Sequence, residues 1–174
     1  MNQRTRVVSR EDPAQVAQVM SSMTGLEVVR AIFDRAVPAP PMGLLLGLEG
    51  VEAEEGRAVL AVELAEYHSN NAGAAHGGLA ATLVDAAVTS AVMTTLPRNM
   101  INTTLQLSTY YIRPLMLDGG PITVEGTVIH RGRGTATATA EVRHGTGRLC
   151  VQSTGTCLIR TFDPAAQGTS ESVR

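Results

Sequence analysis

The chain has 174 residues, about the size of one ordinary domain. Its residues are 44% hydrophobic and 17% charged, a balance typical of a globular protein and not of a disordered chain. A net charge of -2, with no Trp, three Tyr and two Phe, provides neither the basic surface nor the aromatic platforms of a nucleic-acid-binding protein.

The first predicted element is an amphipathic helix over 13–37 with a possible break at Gly25, because apolar residues recur there at intervals of three and four. The prolines in 38–41 end this helix. Leu44, Leu46 and Leu48 then follow a period of two, and after a turn at 54–56 a second segment resumes the same period. This pattern predicts a β-hairpin.

A long apolar helix is predicted next, over 79–96, since a loop rich in Asn and Gly precedes it and Pro97 follows it. Its length could just span a bilayer, but the small residues and Asp85 near its middle favour a buried helix, so no membrane partner is expected.

The rest of the chain reads as extended segments with alternating polarity. They lie at 103–112, 121–130, 135–143 and 149–160. The order of elements predicts an α+β fold in which one antiparallel sheet wraps the apolar helix. We expect a flexible N-terminus over 1–12, a single domain over 13–161 and a disordered, Ser-rich tail over 162–174.

The two cysteines and the N-terminal sequence indicate the cellular compartment in which the protein is expected. Cys150 and Cys157 are seven residues apart in one predicted strand, so they would lie roughly 23 Å apart on opposite faces, beyond disulfide reach. No apolar run follows the first arginines, so no signal peptide is predicted. A reduced, cytoplasmic protein is the expectation.

Asp85 is the first candidate for chemistry, because it is the only charged residue between His76 and Arg98. A carboxylate inside so apolar a helix is unfavourable unless it is paired or functional. The structural alternative is an ion pair with an arginine such as Arg113.

The start of the apolar helix is the second candidate. Gly77 and Gly78 would leave backbone N–H groups open at the positive end of the helix dipole, where a developing oxyanion is stabilised. An ordinary Gly-rich turn is the plainer interpretation. His76 and Asn70 could each hydrogen-bond a water or a carbonyl, although either residue alone more often fixes a loop.

The sequence lacks the motifs of metal sites, serine hydrolases and nucleotide-binding proteins. His68, His130 and His144 share no metal-ligand spacing with each other or with the cysteines, so no metal site is predicted. Ser90 has no GxSxG context, and neither a GxGxxG nor a GxxxxGK[ST] sequence occurs. These absences disfavour a serine hydrolase and a nucleotide cofactor, and no cofactor is expected.

One segment resembles a known family. The sequence HSNNAGAAHGGLAATLVDAAVTSAV, at 68–92, resembles the hotdog thioesterases of the phenylacetate-degradation type, in which HGG lies nine residues before an acid. The similarity covers about residues 24 to 161 and includes the YYIRP and HRGRGTATATAEV segments. It implies a hotdog fold with an additional N-terminal helix, and hydrolysis of aromatic or medium-chain acyl-CoA.

The resemblance also implies roles for individual residues. Asp85 matches the family's nucleophile or general base, and Gly77 matches the N–H that polarises the thioester carbonyl. Asn70 matches a residue that orients water or substrate, and His76 matches the loop histidine. Thr104 falls where some members carry a Ser that helps to hold the water.

The geometry of an α-helix also bears on the oligomeric state of the protein. Gly77 and Asp85 are eight residues apart, about 12 Å of helix rise, so one chain cannot bring both to the same carbonyl. Two antiparallel helices related by a twofold axis can, which predicts a homodimer with shared active sites. We also expect a dimer of dimers, a homotetramer.

The substrate's CoA portion suggests further binding residues. Gly78 would flank the substrate, and Arg113, Arg131 and Arg133 could contact the CoA phosphates, because they cluster near a strand end and a hairpin of a mildly acidic protein.

Two alternatives remain open. A hotdog hydratase or dehydratase would need a His and an acid at the β-carbon, and the HFPxxP pattern of that subgroup is absent. A non-catalytic acyl-CoA-binding protein that acts as a sensor would need a DNA-binding module, and the roughly forty residues before the fold do not accommodate a helix-turn-helix.

Overall fold

The computed structural model describes residues 3–162 and consists of four α-helices and one sheet. The helices are α1 (Pro13–Met20), α2 (Gly25–Phe33), α3 (Pro41–Leu46) and α4 (Gly77–Met93), with a 3₁₀ turn at Glu66–His68. The strands are β1 (Leu48–Glu54), β2 (Arg57–Val62), β3 (Met100–Tyr111), β4 (Ile122–Arg131), β5 (Thr135–Arg143) and β6 (Leu149–Thr161). The tail predicted to be disordered lies, apart from Phe162, outside the described residues.

The sheet has six strands in the order β1-β2-β4-β5-β6-β3, and every neighbouring pair is antiparallel. Helix α4 packs against one face of the sheet and contacts β2 to β6. The predicted α+β class is therefore confirmed, and so is the hairpin, whose turn contains Gly56 at a φ of 80°. The edges of the sheet are β1 and β3.

The core lies between α4 and the sheet. One side of α4 is fully buried through Leu83, Val84, Ala87, Val88, Ala91 and Val92. Two glycines let the helix approach closely: a Cβ on Gly126 of β4 would lie 2.1 Å from the carbonyl oxygen of Ala87, and one on Gly155 would lie 2.9 Å from Val88 Cγ1. The opposite side of α4, with Asp85, remains available for other contacts.

The N-terminal segment differs from the prediction of one broken helix. It forms two helices, because Thr24 caps α2 through a reciprocal pair of hydrogen bonds with Glu27. Gly25 then docks α2 onto the end of α4, its N–H donating to the carbonyl of Leu96 at 2.9 Å. Helix α2 thus lies against the C-terminal end of α4.

The prediction that 44–48 is a strand was wrong over most of its length. Leu44 and Leu46 belong to α3, and only Leu48 begins β1. Pro41 occupies the first helical position, and Gly47 ends the helix at a φ of 68°, which is the usual Pro-to-Gly arrangement of a short helix. These end signals outweigh the alternation of the leucines.

Candidate active site

The site is organised around a hydrogen bond between α4 and β3. Thr104 Oγ1 donates to Asp85 Oδ1 at 2.6 Å. A register shift between Thr104 and Gln106 interrupts the ladder of β3 and β6 at this point, a type of irregularity that redirects side chains. Within the described chain, the second carboxylate oxygen of Asp85 makes no hydrogen bond, so it is available to a ligand.

The structural alternative for Asp85 was wrong. Arg113 does not pair with it; the guanidinium donates instead to the carbonyl of Leu149 at 2.8 Å, at the far end of β3. Asp85 is also half-buried in the protomer and not fully buried as its apolar surroundings suggest. Its environment is therefore a neutral hydroxyl donor and an open cavity.

Cys157 lies directly beneath this pair, opposite Thr104 in the β3–β6 ladder. Burial raises the pKa of its thiol, and the negative charge of Asp85 raises that pKa further, against the smaller opposing effect of a hydrogen bond with Thr104. The thiol therefore stays protonated and is a poor nucleophile. Asp85 is the group at this point that can act as a base or a nucleophile.

The two glycines of the predicted oxyanion site differ in the hydrogen bonding of their backbone N–H groups. His76 is the N-cap residue, and its Nδ1 accepts the N–H of Gly78 at 2.9 Å. The N–H groups of the next two residues reach the His76 carbonyl. Within the described residues the N–H of Gly77 has no partner, while its carbonyl accepts from the Tyr111 hydroxyl at 3.2 Å. Gly77 therefore offers the open donor, and Gly78 does not.

The loop before α4 is fixed by Asn70. Its Oδ1 accepts the backbone N–H groups of Ala72 at 2.9 Å and Ala74 at 3.3 Å. The backbone N–H of Asn70 donates to the carbonyl of Ala74, which closes the turn. In this protomer the amide oxygen of Asn70 thus supports the loop, and its NH₂ group is the part left for other contacts.

His68 anchors the same loop, a role the sequence did not reveal. It is 4% exposed, its Nδ1 accepts from the Ala65 N–H, and its Nε2 consequently donates to the Leu46 carbonyl at 2.9 Å. Burial lowers the pKa of His68, the charge of Arg6 lowers it further, and the hydrogen bond to Leu46 opposes them. A neutral His68 joins α3 to the loop that presents Gly77.

The remaining predicted binding residues lie at two ends of the molecule. Arg113 follows β3 near Tyr111, at the Gly77 end. Arg131 is exposed and shares a row of the sheet with Thr104, through Ala136 and Cys157. Arg133 lies in the exposed turn beyond it, and neither Arg131 nor Arg133 makes a side-chain hydrogen bond or ion pair with residues 3–162. One protomer does not bring the three arginines together.

A cavity of about 810 Å³ opens beside Asp85. One side of the cavity is formed by the outward face of α4, through Thr82, Asp85 and Thr89. The other side is formed by α2, the proline-containing segment 38–40 and α3. It is large enough for a small-molecule ligand. Among residues 3–162 no cluster of His, Cys, Asp and Glu side chains could hold a metal ion, and no helix is long and apolar enough to cross a membrane.

Comparison with known proteins identifies the family to which the chain belongs. The profile of the Thioesterase superfamily matches residues 72–151, which include α4 and the strands β3 to β5. Human acyl-coenzyme A thioesterase 13 is 30% identical over 135 residues, covering 76% of this chain and 94% of the relative. The chain belongs to the thioesterase superfamily. It is a thioester hydrolase.

Solved structures agree with this assignment. A thioesterase from Haemophilus influenzae superposes with a TM-score of 0.69 at 19% identity, covering 76% of this chain and 90% of that one, which supports the hotdog fold. A hypothetical thioesterase from Streptococcus pneumoniae, with coenzyme A in its structure, has a TM-score of 0.61 at 26% identity and covers 66% of this chain and 90% of its own. The hotdog fold predicted from the sequence is confirmed.

In this thioesterase, Asp85 and Gly77 occupy different turns of α4, as the sequence predicted. A thioester needs a base or nucleophile at its carbonyl carbon and a donor at its carbonyl oxygen, both within hydrogen-bond or contact distance. About 12 Å of helix rise separates the two groups in one protomer. In one protomer, Gly77 therefore lies at the first turn of α4 and Asp85 lies near its middle.

Proposed function

We propose that the protein hydrolyses acyl-CoA thioesters to a free acid and CoA, with Asp85 as the reacting carboxylate. The observation that carries the proposal is that Asp85 lines an open cavity while Thr104 hydrogen-bonds one of its carboxylate oxygens and leaves the other free. The coenzyme A in the Streptococcus pneumoniae neighbour supports CoA as the thiol component.

Two routes are open to Asp85. As a general base it would take a proton from a water molecule, whose oxygen attacks the thioester carbon; the C–S bond then breaks and the CoA sulfur leaves with a proton. As a nucleophile its oxygen would attack the same carbon, the C–S bond would break with departure of the CoA thiolate, and water would hydrolyse the resulting mixed anhydride. In both routes Thr104 orients the carboxylate, and the N–H of Gly77 stabilises the oxyanion.

The loop residues have supporting roles in this proposal. His76 and Asn70 hold the start of α4 through the Gly78 N–H and the turn at 72–74. Because the N–H of Gly78 donates to His76, the oxyanion would bind the N–H of Gly77. Gly78, which has no side chain, would allow the substrate to approach the protein backbone closely.

The exposed edge of the sheet supports the proposal of an active site shared between two chains. Strand β3 is 12 residues long, unpaired on its outer side, and exposes Leu105, Tyr110 and Tyr111. A long exposed edge strand of this kind is a template for pairing with another strand. We propose that β3 pairs with its twofold-related copy to form the homodimer, and that two such dimers form the tetramer.

The register of that pairing can be inferred from the protomer. Helix α4 runs antiparallel to β3, so Asp85 lies by Thr104 and Gly77 lies by Tyr111. A twofold axis that crosses β3 midway between Thr104 and Tyr111 would bring the Tyr111 end of one chain beside the Thr104 end of the other. Gly77 of one chain would then approach Asp85 of its partner.

The same symmetry supports the arginines as CoA ligands. Arg113 lies at the Gly77 end of one chain, and Arg131 and Arg133 lie toward the Thr104 end, so a dimer would collect arginines from both chains around one site. We propose that they bind the CoA phosphates by charge-assisted hydrogen bonds. The HGG sequence nine residues before Asp85 supports the phenylacetate-degradation branch, and acyl-CoA as substrate supports a cytoplasmic location.

The test is steady-state hydrolysis of a panel of acyl-CoA esters by the wild type and by Asp85→Asn. Asp85→Asn should lower kcat at least about 100-fold with KM within a few-fold, because the carboxylate acts on the reacting carbonyl. Asp118→Asn removes an exposed acid elsewhere and is the matched control. A near-normal kcat for Asp85→Asn, in a variant folded by circular dichroism, would remove Asp85 from the mechanism.

A further inference from the structure

A second cavity adjoins the one beside Asp85. Its volume is about 410 Å³, and it lies between α1, α2 and the C-terminal half of α4. Val29, Ile32, Pro38, Thr89 and Ser90 line both cavities, so the two meet along this set of residues. We refer to the larger cavity as the reaction chamber and to the smaller one as the distal chamber.

The distal chamber is apolar and adaptable. Its wall includes Val16, Ala17, Met20, Met23, Met93 and Met100. Four of the chain's seven methionines line it, and methionine side chains adjust to flexible apolar ligands.

Two of the polar side chains around the junction, Thr89 and Asn102, already make hydrogen bonds. Thr89 Oγ1 donates to the Asp85 carbonyl at 2.8 Å, and Asn102 Nδ2 donates to the Thr89 carbonyl at 2.9 Å. Among the described residues that line the distal chamber, Glu11 is the charged one, and it is exposed to solvent. A polar or anionic ligand would find few free partners in this chamber, whereas a hydrocarbon chain would require none.

The path from Asp85 into the distal chamber follows one side of α4. Asp85, Thr89 and Met93 are spaced by four residues, so they lie in a line on the helix surface over about 12 Å. Asp85 lines the reaction chamber, Thr89 lines both chambers, and Met93 lines the distal one. A ligand whose carbonyl is held at Asp85 and whose chain extends along this line reaches the methionines.

We propose that the distal chamber binds the far end of a linear aliphatic acyl chain, so that the enzyme prefers medium- to long-chain fatty acyl thioesters over short or aromatic ones. This inference rests on the proposed acyl-CoA thioesterase activity and assigns its acyl group. It gives α1 a function, because Val16, Ala17 and Met20 of that helix close the chamber.

Chain-length dependence is the direct measure. From butanoyl- through octanoyl- to dodecanoyl-CoA, kcat/KM should rise by up to about fourfold per methylene, the equivalent of about 0.8 kcal/mol for each CH₂ removed from water. Benzoyl-CoA, which cannot reach beyond the reaction chamber, should be hydrolysed no better than butanoyl-CoA.

A substitution that fills the chamber provides the second readout. Ala17 is 8% exposed and faces the distal chamber, so Ala17→Phe should lower the ratio of kcat/KM for dodecanoyl-CoA to that for butanoyl-CoA by at least tenfold. Val19→Phe adds a comparable ring to the same helix at a position that is 56% exposed, and its ratio should equal that of the wild type. Ala17→Leu adds less volume and should give a smaller fall in the same direction.

The outcomes separate this inference from the proposed function. A flat chain-length profile, a preference for benzoyl-CoA, or an Ala17→Phe ratio within twofold of the wild type would overturn the inference while leaving thioesterase activity intact. Absence of hydrolysis of every ester in the panel would instead overturn the proposed function.

Discussion

Removing the hydroxyl of Thr104 is the sharpest perturbation of the site that leaves Asp85 in place. Thr104→Val preserves the shape of the side chain and deletes the 2.6 Å hydrogen bond to the carboxylate. A hydrogen bond to a charged group contributes about 1.5–3 kcal/mol. If its full value is used in the transition state, kcat/KM should fall about 10- to 150-fold.

Release of CoA can be followed with a thiol reagent, and the protein's own thiols interfere little because Cys150 and Cys157 are buried. Thr104→Ser retains the donor and should keep most of the activity, while Thr103→Val alters the exposed neighbour on the opposite face and should be near normal. A Thr104→Val enzyme within twofold of the wild type, or a Thr104→Ser enzyme as impaired as Thr104→Val, would refute the proposed orienting role.

Two further predictions concern the scaffold. Gly126→Ala should destabilise the fold by about 1–3 kcal/mol in urea unfolding, because its new methyl group would meet the Ala87 carbonyl, whereas Gly134→Ala, with nothing within 4 Å, should have little effect. Equal midpoints for the two variants would contradict the close-packing account. The pKa of His68 is lowered in the folded state, so the unfolded chain binds more protons below about pH 6.5, and stability should fall by up to about 1.4 kcal/mol per pH unit as the pH drops from 6.5 through the folded-state pKa. The urea midpoint of His68→Gln should be lower at neutral pH and less sensitive to this acidification; an unchanged pH dependence would contradict the assignment.

Regular elements with one buried face were predictable from the sequence. Strand β5 spans Thr135–Arg143, as predicted, because its alanines face α4 and its threonines face outward with a period of two. Helix α4 was predicted within two or three residues at each end, since Pro97 and the glycines at its start limit it. Periodicity carries this information locally, within the element itself.

Features that depend on strand order were not predictable in this way. The Thr104–Asp85 contact joins residues 19 positions apart, and it requires β3 to lie at the sheet edge beside β6. The resemblance to known thioesterases pointed to Thr104, but no local pattern shows its partner. The division of labour between Gly77 and Gly78 likewise depends on the side-chain direction of His76, which the sequence leaves open.

The shared active site is the central claim, and complementation between two inactive variants tests it most directly. Asp85→Asn removes the reacting carboxylate, and Asn70→Ala disturbs the loop that presents Gly77, so each homodimer should be nearly inactive. In a heterodimer of the two, one site would combine the intact loop of one chain with the intact Asp85 of the other. Purified, differentially tagged heterodimers should therefore recover about half of the wild-type activity, and a re-annealed equimolar mixture about a quarter. Heterodimers as inactive as both parents would show that loop and carboxylate act within one chain, and would contradict the account.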